Sequence, residues 1–334
     1  MNEEYDVVVC GTGLTESILS GLLSQDGKKV LHIDRNSYYG DEGASLNLTN
    51  LWKLFRPGVE VPKEYGMNRD WNIDLIPKFI MANGNLVKIL LKTRVSRYLE
   101  WKAVDGTFVY QMTKGGLFSS GGAKIFKVPG NDSEALKSDL MGLLEKNRVK
   151  NFFIFCQKFN KDDEKTHMAG KVNAMKDNFS AMIKKYDLSV NVVDFIGHAV
   201  ALYTDDGFIE RPAYECIEKV QLYMDSHGRY GDSPFLYPIY GLGGIPEGFS
   251  RMCAIHGGTF MLNQDIEEVI YDEGGKVCGV RSGSDTAKCK TVICHPSYML
   301  KTGNEKKVQS TGKVIRCICI LDHTIPNTKD VASL

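Results

Sequence analysis

Several features that would narrow the function are missing from this sequence of 334 residues. No apolar run approaches the roughly 20 residues that a membrane-spanning helix needs. Lysine plus arginine total 41, as do aspartate plus glutamate, so no excess of charge favours nucleic acid or an anionic membrane. The 9 cysteines include no CxxC pair, so the sequence predicts neither a disulfide framework nor a metal site.

The N-terminus also lacks the pattern of a secretory signal. Met1 to Glu4 is polar and acidic, with no basic segment followed by an apolar one. We therefore expect a cytosolic protein, and its length suggests about two domains.

The first 34 residues have the order of a Rossmann unit. Tyr5 to Cys10 predicts a buried strand, Gly11 to Gly13 a tight turn, and Lys29 to Ile33 a second strand that ends at Asp34. Apolar residues at helical spacing predict an amphipathic helix between the strands: Leu14, Ile18, Leu19, Leu22 and Leu23. The dinucleotide pattern places a third glycine where this chain has Glu16, whose bulk and charge would oppose a pyrophosphate. We predict a flavoprotein-like scaffold that binds no dinucleotide, although Asp34 stands where an acid would contact a ribose.

The pattern of apolar residues changes twice along the chain. From Asn131 it is helical for about ninety residues, and after Pro234 strands return, including a hairpin around Asp272 to Gly275. These changes predict an α/β domain formed by residues 1–130 and 229–334, with a small all-helical domain, residues 131–228, inserted into it.

Near its end the chain carries an apolar run from Val314 to Leu321, which predicts a strand. Cys317 and Cys319 alternate along it and would share one face, and we expect most cysteines to be buried thiols. A sheet that ended there would expose an edge, so we expect that further chain follows.

Three segments closely resemble one family, the Rab GDP dissociation inhibitors, with the related Rab escort proteins behind them. They are GTGLTESILSG with KKVLHIDRNSYYG, then RDWNIDLIPKFIMANGNLVKILL, then SPFLYPIYGLGGIPEGFSRMCAIHGGTFMLN. The resemblance implies the fold of the flavoprotein monooxygenases without a working flavin, which agrees with Glu16.

The resemblance also implies a function. Such proteins bind GDP-bound, geranylgeranylated Rab GTPases, slow GDP release, and extract the GTPases from membranes during vesicle trafficking. It implies a cytoplasmic monomer that cycles to membranes, is not an enzyme, and needs no cofactor or metal. The Rab-contacting positions of the family fall on residues of the first, second and third segments: Tyr39, Arg69, Arg251, Thr259 and Met261.

This chain departs from the family in two places. Gly244 stands where the family carries an acidic residue, so one polar contact is lost or moved. The loop from Gly115 to Gly122 is longer than expected. Both differences could change the choice of Rab or the affinity for it.

The helical domain is the candidate site for the lipid. Burial of a 20-carbon chain at about 0.8 kcal/mol per CH₂ requires an apolar slot that can open. The candidates for its lining are apolar residues of the helices: Met141, Leu144, Phe152, Phe155, Phe195 and Val200. Each of them could equally belong to the ordinary core of the domain, since every packed helix shows such a stripe.

Two other functions stay open. A Rab escort protein would present unprenylated Rab to its transferase, but those relatives are longer and carry insertions. A flavin-dependent oxidoreductase would contain FAD, against which Glu16 argues. The sequence shows no catalytic triad, paired carboxylates or metal cluster, and we expect His198 and His295 to be structural.

Overall fold

The computed structural model describes residues 3–113, 122–128 and 143–328. The chain divides into two compact units. The first unit comprises Met1–Lys78, Leu90–Trp101 and Tyr237–Ile320, and the second comprises Phe79–Ile89, Lys102–Leu236 and Leu321–Leu334. The second unit therefore takes in residues 102–128 and extends beyond the predicted helical segment.

The regular elements are short outside the main sheet. The strands are β1 (Glu4–Cys10), β2 (Val30–Ile33), β3 (Ser45–Leu46), β4 (Ile73–Asp74), β5 (Ile80–Met81), β6 (Trp101–Ala103), β7 (Phe108–Thr113), β8 (Gly122–Lys127), β9 (Met168–Ala169), β10 (Val172–Asn173), β11 (Phe235–Pro238), β12 (Thr259–Met261), β13 (Glu268–Tyr271), β14 (Val277–Ser282) and β15 (Asp285–Cys294). The helices are α1 (Leu14–Gln25), α2 (Leu48–Phe55), α3 (Asn85–Lys92), α4 (Leu143–Lys158), α5 (Phe179–Tyr186), α6 (Val190–Asp194), α7 (Ala213–Ser226), α8 (Gly244–Ile255) and α9 (Pro296–Met299).

A six-stranded sheet forms the centre of the first unit, in the order β12-β2-β1-β15-β14-β13. The first four strands are parallel to their neighbours, and β14 and β13 continue the sheet in antiparallel fashion. Val8 and Val9 of β1 are completely buried, as expected for a strand that is covered on both faces. The predicted order of strand, glycine turn, helix and strand is confirmed.

The predicted hairpin around Asp272 is also confirmed. Strands β13 and β14 pair in antiparallel fashion, and the Asp272 N–H donates to the Lys276 carbonyl at 2.8 Å. Gly275 has a φ of 78°, which a glycine adopts without steric cost.

Helix α1 buries a different face from the one that its leucines predict. Leu14, Leu19 and Leu22 are exposed, and the buried residues are small or polar: Glu16, Ser17, Ser20, Gly21 and Ser24. The reason is the close approach of α8, because a Cβ on Gly21 would lie 2.6 Å from Met252 Cε. Small residues permit this packing, which fixes α8 against the Rossmann unit.

The second unit has an aromatic core. The Phe152 ring lies 5.9 Å from that of Phe179 and 5.6 Å from that of Tyr186, both edge-on. Outside the helices, β7 pairs with β8 and β9 with β10. Within the described ranges, no helix combines the length and the apolar character needed to cross a membrane.

The predicted strand from Val314 to Leu321 is wrong. This segment has no regular secondary structure, and Ile315 is 97% exposed. A strand needs a neighbour to bond its backbone, and none of the described strands pairs with this run. Cys317 and Cys319 are exposed, whereas burial is confirmed for other cysteines: Cys10, Cys156, Cys216, Cys253 and Cys289.

Candidate binding cleft

The first unit contains an open cleft of about 490 Å³. It lies where helix α8, the loop after β2 and the turn before β6 meet. Its lining combines aromatic rings with one basic and two acidic residues: Tyr39, Tyr98, Glu100, Tyr240, Glu247, Arg251 and Phe260. This composition is typical of a surface that holds another protein, because Tyr and Arg are frequent interface anchors.

Helix α8 supplies two of the charged residues of the cleft, Glu247 and Arg251. Glu247 and Arg251 are four residues apart, so they lie on the same helical face. The guanidinium carbon of Arg251 lies 4.9 Å from the centroid of the Tyr98 ring, within the range of a cation–π interaction. The tyrosine therefore orients the guanidinium of an exposed arginine.

Tyr39 supplies a phenol from the loop that follows β2. Its ring lies edge-on to Phe260, with centroids 6.1 Å apart. Burial raises the pKa of Tyr39, and the negative charge of Glu247 raises it further. The hydroxyl therefore stays protonated at neutral pH and can both donate and accept a hydrogen bond.

A buried carboxylate holds the turn from which α8 begins. The Leu242 N–H donates to Asp74 Oδ1 at 2.9 Å, and the hydroxyls of Tyr237 and Ser45 also donate to Asp74. The Gly243 N–H donates to Ser45 Oγ at 2.8 Å. Burial raises the pKa of Asp74. The segment that contains Asp74 thus positions the segment that carries Arg251.

Gly244 lines the cleft at the first position of α8. A Cβ at this glycine would lie 3.4 Å from Leu99 Cδ2, an ordinary van der Waals contact, so the backbone leaves room for a side chain. The acidic side chain that the resemblance to the family implies at this position would therefore fit.

The structure brings together two of the five predicted contact residues, Tyr39 and Arg251, in the cleft. Thr259 and Met261 flank the cleft residue Phe260 on β12, so they point to the opposite face of that strand. Thr259 is exposed, and Met261 packs partly against the core. Arg69 lies in a separate 3₁₀ turn, 80% exposed, with its Nε 3.9 Å from Asp70 Oδ1.

Sequence reasoning missed most other residues of the cleft, among them Tyr98, Tyr240, Glu247 and Phe260. The spacing of Glu247 from Arg251 was an available signal, since a helix places such a pair on one face. Tyr98 carried no local signal, because its contact with Arg251 depends on the tertiary fold.

The glycine turn does not fit a dinucleotide. Glu16 is only 7% exposed, and its Oε2 would lie 2.6 Å from a Cβ on Gly13. The carboxylate thus folds back toward the N-terminus of α1, where a phosphate would otherwise meet the free N–H groups. The negative charge of Glu16 interacts favourably with the positive end of the helix dipole.

The candidate ribose acceptor is also engaged. Asp34 Oδ2 accepts from the Thr12 N–H at 2.7 Å and from the Thr12 hydroxyl at 2.5 Å, and Asp34 Oδ1 accepts from the Asn36 N–H at 2.7 Å. Over the turn, Tyr298 Cε2 would lie 3.3 Å from a Cβ on Gly11. The Asp34 carboxylate is therefore already hydrogen-bonded within the protein, and the Tyr298 ring lies against the glycine turn.

The carboxylate of Asp41, near the glycine turn, lies in an unfavourable electrostatic environment. Its Oδ2 is buried and has no hydrogen-bond partner among the described residues, and His295 Nδ1 is 3.9 Å away. Burial raises the pKa of Asp41, and Asp34 raises it further. His295 has a structural contact as well, because its Nδ1 accepts from the Ser297 N–H at 3.3 Å and caps α9.

The lipid candidates differ in their surroundings. Phe152 and Val200 are buried in the core of the second unit, whereas Phe155 and Phe195 are half-buried. Met141 and the side chain of Leu144 lie outside the described residues, as do residues 115–121 of the loop singled out above. The assignment of these residues to a lipid pocket stays a prediction.

Comparison with known proteins identifies the family. The model of the GDP dissociation inhibitor family matches residues 1–334. The chain is 50% identical over 334 residues to the "Probable secretory pathway GDP dissociation inhibitor 1" of Schizosaccharomyces pombe, covering 100% of this chain and 72% of that protein.

Solved structures agree with this result. The crystal structure of RAB GDI from Plasmodium falciparum superposes with a TM-score of 0.80 at 51% identity, covering 90% of this chain and 67% of that one. An oxidoreductase from Methanosarcina mazei matches at a TM-score of 0.53 and 16% identity, over 89% of this chain and 61% of that one, and shows the shared fold alone. The chain belongs to the GDP dissociation inhibitor family.

Proposed function

We propose that this chain is a Rab GDP dissociation inhibitor, a regulator that binds GDP-bound, geranylgeranylated Rab GTPases and slows their release of GDP. It extracts them from membranes and carries them through the cytoplasm during vesicle trafficking, as a monomer and without catalysis. The family match over the whole chain, together with 51% identity to a RAB GDI, is the observation that carries this proposal.

The cleft is the proposed centre of the surface that contacts the GTPase. The Arg251 guanidinium offers a planar set of donors, and Tyr39 adds a hydroxyl to the same cleft. Glu247 gives the same helical face a negative charge, so the cleft can select a partner surface with complementary charges. Thr259 and Met261 on β12 and the exposed Arg69 lie outside the cleft and are proposed as separate contacts with the GTPase.

The second unit is the proposed carrier of the geranylgeranyl groups. Phe152 and Val200 are packed in its core, so a lipid must enter where the packing is incomplete, and Phe155 and Phe195 are the half-buried candidates. Burial of the lipid at about 0.8 kcal/mol per CH₂ would offset the cost of separating these side chains.

The test is a sedimentation experiment with liposomes that carry geranylgeranylated Rab, loaded with either GDP or GTP. Transfer of the GDP-bound form alone to the supernatant is the expected result. Equal transfer of both forms, or none, would contradict the proposal. Strong binding of unprenylated Rab would instead favour an escort function, and a flavin absorbance spectrum would favour an oxidoreductase.

A further inference from the structure

Three side chains of the second unit converge in a place that the proposed Rab surface does not use. They are Asp194, His198 and Asp206, all exposed, and their ligand atoms lie within 4.8 Å of one another. His198 Nε2 is 3.1 Å from Asp206 Oδ1. One imidazole and two carboxylates are a donor set that binds first-row divalent cations.

The orientation of the imidazole is the first argument. His198 Nδ1 lies 2.8 Å from the Tyr203 carbonyl oxygen, which can only accept, so Nδ1 carries the hydrogen. Nε2 therefore faces the Asp206 carboxylate at 3.1 Å, where it donates a hydrogen bond when it carries a proton and where a cation can take the place of that proton. A metal-binding histidine shows the same arrangement, in which the second nitrogen donates to a carbonyl and fixes the tautomer.

The backbone gives a second, independent argument. Residues Phe195–Val200 form a π-helical segment, in which the Ala201 N–H donates to the Ile196 carbonyl at 2.8 Å. Widened turns of this kind are rare and frequently occur at functional sites. Asp194 precedes the segment and His198 lies within it, so the irregular turn sets the position of two of the three donors.

Packing holds the third donor in place. A Cβ on Gly197 would lie 2.2 Å from Phe208 Cζ, so only glycine permits the ring to pack on the helix. The Tyr203 ring stacks on Phe208, with centroids 4.8 Å apart and planes 11° apart. These contacts fold the chain back and keep Asp206 beside His198 without help from an ion, which is what a preorganised site requires.

We propose that Asp194, His198 and Asp206 bind a divalent first-row transition cation, with water completing its coordination. Zn²⁺ bonded at its usual distances would separate two ligand atoms by about 3.4 Å in tetrahedral geometry, close to the 3.1 Å between His198 Nε2 and Asp206 Oδ1. Rotation of the exposed Asp194 carboxylate closes the remaining distance. The bound cation joins the π-helical segment to the turn at Asp206 and stabilises the second unit.

The experiment measures Zn²⁺ binding by titration calorimetry on the metal-free full chain, together with its thermal unfolding. The exposed thiols of Cys317 and Cys319 lie 3.7 Å apart and could also bind Zn²⁺, so both are first replaced by serine. In this background we expect one saturable equivalent of Zn²⁺ and a rise in Tm with its concentration.

Three variants locate the ion: Asp194→Asn, His198→Gln and Asp206→Asn. Each should weaken the affinity by about tenfold or more. Asp205→Asn is the matched control, because Asp205 accepts from the Gly207 N–H at 2.8 Å and asparagine caps equally well. The control loses the same charge but no ligand, so its affinity should be unchanged. The absence of saturable binding, or equal affinities for all four variants, would overturn the site.

Discussion

The contact between Arg251 and Tyr98 allows a quantitative test of the cleft. Replacement of Arg251 by alanine removes an anchor of the proposed interface, which typically costs about 1 to 3 kcal/mol of binding free energy. That loss corresponds to a roughly 5- to 150-fold weaker Kd for GDP-bound prenylated Rab. Because Arg251 is exposed and its contact is the cation–π interaction with Tyr98, the free energy of unfolding should fall by no more than about 1 kcal/mol.

Tyr98 acts in this scheme by orienting the guanidinium, whose carbon lies 4.9 Å from the ring centroid. Tyr98→Leu should weaken Rab binding by about 0.5 to 1 kcal/mol, the usual size of an exposed cation–π interaction. In the Arg251→Ala background the same change should have no effect. Tyr98→Phe keeps the ring and serves as the matched control, and Arg251→Lys keeps the charge but loses the planar fork.

The assay is titration calorimetry of each variant with the same preparation of GDP-bound prenylated Rab, arranged as a double-mutant cycle. The reasoning would be refuted by additive effects of the two substitutions, or by an unchanged Kd for Arg251→Ala. Urea unfolding of each variant checks that the loss lies in binding.

Four further changes test other parts of the structure. Glu16→Gln removes the charge at the N-terminus of α1 and should lower the free energy of unfolding by about 0.3 to 1 kcal/mol in urea titrations; an unchanged midpoint would contradict the role given to Glu16. Burial raises the pKa of Asp41, so the native state favours the protonated carboxyl. The contribution of Asp41 to the free energy of unfolding is therefore highest below the ordinary aspartate pKa and falls as the pH rises through the folded-state pKa. Asp41→Asn should therefore be more stable than the original chain by about 1 kcal/mol at neutral pH. Below the ordinary aspartate pKa of about 3.9 the two should be equally stable. A difference in stability that does not change with pH would refute the burial argument. Gly244→Glu should raise affinity for Rab in the same calorimetric titration while Gly244→Ala does not, since only the glutamate supplies the acidic group that the resemblance implies at this position. Phe155→Asp should reduce extraction of prenylated Rab from liposomes more than binding of unprenylated Rab, and equal losses would indicate damage to the core.

The Rossmann unit was predictable because its signals are local. Val8 and Val9 belong to an uninterrupted apolar strand, and the glycine turn and the helix follow at fixed spacing. The buried face of α1 was not predictable, because it depends on α8, more than two hundred residues away in the sequence. Gly21 and the serines of α1 carry no hydrophobic signal, yet they permit the close contact with that helix.

The candidate site was predictable in part, and for a similar reason. Tyr39 and Arg251 were found through the resemblance to the family, and both line the cleft. Tyr98 and the role of Asp74 depend on tertiary contacts that no spacing reveals. For the run from Val314 to Leu321 the sequence predicted a strand that the structure does not show. Its residues favour a strand, but none of the described strands pairs with it.

The central claim is that this chain keeps GDP on a Rab GTPase. The most direct measurement is the rate at which geranylgeranylated Rab releases a fluorescent GDP analogue in the presence of excess unlabelled GDP, with and without this protein. The account predicts that the protein slows release in a saturable manner and that Arg251→Ala shifts the saturation to higher concentration. A release rate that is unchanged at saturating protein would contradict it.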